Sequence, residues 1–107
     1  MAINRMEVLR QLVERNPKDS FALYGLAMEY ANQGENEQAV EQFRTLTEVN
    51  PNYCYAYYQA GRVLTKMGKI DEARGWYERG MEASMRAGDE HARGEIEAAL
   101  NELGSGE

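Results

Sequence analysis

The 107-residue chain has a single cysteine, Cys54, so no disulfide can form within it. A lone cysteine without an export signal is expected in a reducing compartment, which reads here as the cytoplasm. Residues 1–15 mix charged and apolar side chains throughout and offer no apolar core of a signal peptide. No stretch approaches the ~20 consecutive apolar residues that cross a bilayer. Positive charge is in short supply: the net charge is −6. An acidic surface repels phosphate backbones and anionic lipid, so neither nucleic acid nor a membrane is expected as a partner. Histidine occurs once, at His91, which rules out a two-histidine metal site and reads as a surface residue in the first turn of the last helix. Cys54 has no base partner in the sequence, and a nucleophile without an orienting base is a weak catalyst. A Gly-rich phosphate loop and a GxSxG elbow are both missing. The expectation is a non-enzyme with no cofactor and no metal.

Proline is scarce as well, with only Pro17 and Pro51. Long stretches are therefore free to be helical, and Ala, Glu, Gln, Leu and Met favour that state. Shifting the sequence by 34 residues aligns Pro17 with Pro51, Ala22 with Ala56 and Tyr24 with Tyr58. The same shift pairs Gly34 with Gly68, Ala39 with Ala73 and Glu48 with Glu82. A period of this length marks a stacked helical repeat. Pro, Gly and Ala fall where a helical hairpin needs them.

The local signals agree. Phe21, Leu23, Tyr24, Leu26, Ala27, Tyr30 and Ala31 recur at spacings of three and four over 20–33. Asp19 or Ser20 can cap that helix, and Gly34 sits just past its end. A second helix runs from Asn36, as its cap, to Val49, where Asn50-Pro51 stops it. Tyr53 to Met67 forms a third, closed by Gly68. A fourth starts at Ile70-Asp71 and meets no proline before Gly88. The last follows Asp89, with Ala92, Ile96, Ala99, Leu100 and Leu103 on one side. At the front, Ile3, Met6, Val8, Leu9, Leu12 and Val13 outline one more amphipathic helix. The acidic residues at helix starts, such as Glu35, Glu37, Asp71 and Glu72, suit the helix dipole. The reading is one domain over 1–103: a helix at 1–16, repeats at 20–50 and 54–87, a capping helix at 89–103, and a loose tail at 104–107.

The residues Leu23, Leu26-Ala27, Tyr30, Ala39, Phe43 and Pro51 resemble the tetratricopeptide repeat, in the manner of the family's small bacterial members. So do Tyr57, Ala60-Gly61, Leu64, Ala73 and Tyr77 in the second unit. The likeness covers Ser20 to about Met85. Leu23 and Leu64 replace the family's aromatic and tyrosine, and Met85 stands where a proline is usual. Gly80 keeps the customary small residue, whereas Leu46 replaces it. The resemblance implies an all-α fold of about six helices, stacked as antiparallel pairs into a short right-handed solenoid. Ala27, Gly61, Ala39 and Ala73 would allow close approach within a pair, with Phe43 and Tyr77 filling the space between pairs.

The resemblance also implies a concave groove lined by the first helix of each pair, which binds a peptide or protein segment. The groove residues would be Phe21, Tyr24, Met28 and Asn32 from the first unit. From the second they would be Tyr55, Tyr58, Gln59, Arg62, Thr65 and Lys66. Rings and arginine are frequent interface anchors, and methionine adapts to irregular apolar surfaces. Arg62 and Lys66 could meet an acidic group. The family's grip on a terminal carboxylate is not matched, because Tyr24, Met28 and Tyr58 occupy its positions. The same tyrosines could instead pack between helices, with Tyr30 and Tyr57 assigned to the core outright. The alternative function is self-assembly: two units are few for a solenoid, and Ile3, Met6 and Leu9 could pair with a second copy into a homodimer.

Overall fold

In the computed structural model, which describes residues 4–104, the chain forms six helices. They are α1 (Arg5–Arg15), α2 (Ser20–Asn32), α3 (Asn36–Val49), α4 (Cys54–Lys66), α5 (Ile70–Ala87) and α6 (Glu90–Gly104). Ile3 and residues 105–107 lie outside the described part, and Gly104 is the last residue of α6. Each helix packs chiefly on its neighbours in sequence, and α4 additionally touches α6. The result is elongated, 47 × 29 × 20 Å, with a radius of gyration of 14.1 Å against about 13 Å for a compact chain of this length. The fold is an all-α solenoid of helix pairs.

Side chains cap three of the helix starts. Asn4 accepts from the amide of Glu7, Asp19 from that of Ala22 and Asp89 from that of Ala92. Helix α3 departs from expectation: Asn36 is its first residue, and Glu35 precedes it without a side-chain cap. Gly34, Gly68 and Gly88 close α2, α4 and α5 with φ of 78°, 78° and 67°. In each case the next residue's amide reaches back a full turn, as from Glu35 to the carbonyl of Tyr30 at 2.9 Å.

Ala22, Ala56 and Ala92 are the third residues of α2, α4 and α6, and all three are fully buried. The first two are 34 residues apart and the last two 36. The difference arises in α5, which has 18 residues against 14 in α3 and is followed by a two-residue rather than a four-residue connection.

The core runs the length of the stack. Phe43, Leu46, Leu64, Tyr77 and Ile96 are buried along it, together with Ala27, Ala39, Ala60 and Ala73. Burying such a large apolar side chain contributes about 1.5–3 kcal/mol. Met6 and Leu9 pack with Leu26 in a smaller cluster between α1 and α2. Those two methionine and leucine side chains are thus spent inside the monomer rather than presented to a second copy. The exposed apolar residues of α1 are instead Val8 and Leu12.

Candidate functional site

Helices α2, α4 and α6 run side by side with α3 and α5 behind them, and clefts open between them on their free side. The first lies between α2 and α4 and is lined by Met28, Ala31, Asn32, Gln59, Arg62, Val63 and Lys66. A second, about 500 Å³, lies between α4 and α6. Tyr58, Arg62, Thr65, Lys66 and Tyr77 form one wall; Glu95, Ala98, Ala99 and Glu102 form the other. A third, about 680 Å³, sits at the amino-terminal ends of α4 and α6, between Tyr24, Tyr53, Tyr55, Asp89 and Glu90.

Nine of the ten residues expected in the groove line one of these clefts. They are Tyr24, Met28, Asn32, Tyr55, Tyr58, Gln59, Arg62, Thr65 and Lys66. Phe21 lines none of the described clefts, although its side chain is 77% exposed at the start of α2.

The tyrosines are neither free nor fully buried. Tyr24 stacks tilted on Tyr53 at 5.3 Å and meets Phe43 edge-on at 6.1 Å. Tyr58 contacts Tyr77 at 6.3 Å and Tyr55 at 6.1 Å. Each ring therefore packs against core aromatics while its residue lines a cleft. Tyr57 is buried and donates to the carbonyl of Pro51 at 2.7 Å. Tyr30, also assigned to the core from sequence, is only half-buried, and Arg10 lies 5.9 Å from its ring centre. It has α1 alone in front of it, so its outer edge is met by an arginine and not by another helix pair.

Polar links tie the helices across the groove floor. Gln59 Nε2 donates to the Tyr24 hydroxyl at 3.3 Å, joining α4 to α2. Arg62 donates to Gln59 Oε1 at 3.5 Å, and its guanidinium stands 5.7 Å from the Tyr58 ring centre. Tyr55 donates to Glu95 Oε1 at 3.1 Å, and the same oxygen lies 2.8 Å from His91 Nε2. Burial first, then the hydrogen bond to Glu95, pushes the Tyr55 phenol up to about 12. Burial likewise raises the Cys54 thiol, with the Asp89 carboxylate adding to it.

Sequence reasoning missed the third wall. Glu95, Ala98 and Glu102 of α6 face Arg62 and Lys66. The signal was present: Ala92 and Ile96 are the buried residues of α6, so positions 95, 98 and 102 fall on its flank toward α4. The 34-residue period hid it, because the shift to α6 is 36. The presence of Glu95 and Glu102 also alters the expected chemistry. The two cations already share their cleft with carboxylates, which weakens the case for an acidic group there.

Models of the tetratricopeptide repeat match residues 8–41, 27–68 and 55–84. An uncharacterized protein of Methanocaldococcus jannaschii is 32% identical over 69 residues, covering 64% of this chain and 80% of its own length. The photosystem I assembly protein Ycf3 of Acaryochloris marina is 31% identical over 74 residues, which are 62% of this chain. This chain spans only 45% of that relative. Among solved structures, the tetratricopeptide repeat domain protein of Salinibacter ruber superposes with a TM-score of 0.77 at 27% identity. It covers 83% of this chain and 99% of its own.

Proposed function

The chain belongs to the tetratricopeptide repeat family, and we propose that it acts as an adaptor binding a peptide or protein segment along the clefts between α2, α4 and α6. The observation that carries this reading is the half-burial of Tyr24 and Tyr58. Their rings are held by Phe43, Tyr53 and Tyr77 while both residues line the clefts. Rings held rigid in advance lose little conformational freedom on binding, which favours affinity. Met28 and Ala31 add apolar surface beside them. The ligand class is an extended or helical segment with apolar side chains, held by a floor of Gln59, Arg62 and Thr65.

The test is a selection of binders from a random peptide display library on the immobilised protein. Selected peptides are then titrated into isotope-labelled protein. Shifts confined to Met28, Gln59, Arg62, Tyr58 and Ala98 support the groove. Shifts confined to α1, α3 and α5, or no selected binder at all, overturn it.

A further inference from the structure

The largest cleft differs in chemistry from the other two. Its walls carry three tyrosines, Tyr24, Tyr53 and Tyr55, and two carboxylates, Asp89 and Glu90, with no lysine or arginine among them. The rings are set by packing: Tyr24 leans on Tyr53 at 5.3 Å, and Tyr55 is held by its hydrogen bond to Glu95. Three nearby cations have other commitments or stand outside. Arg86 donates to Asn52 Oδ1 at 2.9 Å and to the carbonyl of Pro51 at 3.1 Å. Arg93 pairs with Glu90 at 2.7 Å one turn along α6, and His91 is engaged with Glu95. Asp89 uses Oδ1 to cap α6 through the amide of Ala92, and among the described residues no cation pairs with it. Asp89 adds to the rise of the Tyr55 phenol behind burial and Glu95, and to that of the Cys54 thiol, where Arg86 opposes it.

We propose that this cleft receives an arginine side chain of the bound peptide, its guanidinium stacked among Tyr24, Tyr53 and Tyr55 and paired with Asp89. The electron-rich ring faces attract a cation, and guanidinium, being planar and weakly hydrated, stacks on them better than ammonium does. Charge complementarity selects the occupant: the cleft is acidic and aromatic, and its volume of about 680 Å³ exceeds what one side chain needs. The inference rests on the groove reading and adds the partner's chemistry at one end. The α4–α6 cleft beyond it, with Arg62 and Lys66 against Glu95 and Glu102, is mixed in charge and supplies no such preference.

The probe is N-acetyl-arginine methylamide, titrated into isotope-labelled full-length protein, with N-acetyl-citrulline methylamide as the uncharged match. The expected result is saturable shifts at Tyr53, Tyr55, Gly88 and Asp89, with the citrulline probe at least about tenfold weaker, as loss of a charged partner implies. Asp89→Asn keeps a good helix cap and removes the charge, so it should weaken the arginine probe several-fold at unchanged melting temperature. Tyr53→Leu should also weaken the arginine probe through loss of a ring face. Equal shifts from both probes, shifts elsewhere only, or an Asp89→Asn variant that binds as before would each overturn the proposal. A stronger response to spermidine than to the arginine probe would overturn it too, in favour of a free polyamine. If the cleft ignores arginine while display-selected peptides still shift Met28 and Gln59, this inference falls and the adaptor reading stands.

Discussion

Gly61 of α4 lies flat against the ring of Tyr77 on α5, so close that a Cβ at position 61 would overlap Tyr77 Cε1 and Cζ. Tyr77 cannot withdraw: it is buried and its ring packs against Tyr58. Gly61→Ala should therefore destabilise by about 1–3 kcal/mol through overpacking, despite the better helix propensity of alanine. Urea denaturation reads this directly. An unchanged midpoint would mean that the pair of helices spreads at no cost.

Gly75 is the counter-case on α5. A Cβ there meets nothing within 4 Å, and its backbone is helical. Gly75→Ala should stabilise by about 0.5–1 kcal/mol. The opposite sign in the same denaturation assay would show that the two glycines do not differ in packing.

Gly88 turns the chain between α5 and α6 with φ of 67°. Gly88→Ala should cost about 1–2 kcal/mol, the penalty of a left-handed alanine. The strain falls at the base of the tyrosine-lined cleft, so amide shifts should concentrate at Tyr55, Asp89 and Ala92. Shifts spread evenly over all six helices would contradict this placement.

Tyr55 sets an alkaline limit. Its phenol is raised to about 12, so the neutral form is preferred in the folded protein. The unfolded chain ionises at the ordinary value near 10. The contribution to stability is full below about pH 10 and is lost as pH rises toward about 12. Tyr55→Phe removes the group, so the loss of stability across that window should be shallower in the variant. Identical pH curves would place the shift elsewhere.

Much of the fold was legible because its signals act locally. Asp19 caps α2, Asn50-Pro51 stops α3, and Gly34 and Gly68 close their helices whatever lies nearby. The buried alanines followed the 34-residue period for the same reason. Leu46 and Gly80, equivalent by that period, show where it stops being informative. Leu46 is simply buried, whereas a Cβ on Gly80 would come 2.8 Å from Tyr57 Cβ and 3.0 Å from Ile96 Cδ1. Gly80 is small because Tyr57 of α4 and Ile96 of α6 both close on it, and no local pattern around position 80 announces the α6 contact.

The sequence by itself determined the number, order and ends of the helices and the pairing of the two repeats, since capping, chain breaking and helical periodicity need only neighbours within a turn or two. The tertiary structure decided which edge of Tyr24, Tyr55 and Tyr58 stays open and which carboxylates face them. Those outcomes depend on where α6 lands. Its position follows from the longer α5, the turn at Gly88 and the seat of Ile96 beside Gly80 and Tyr57, contacts that join residues far apart along the chain.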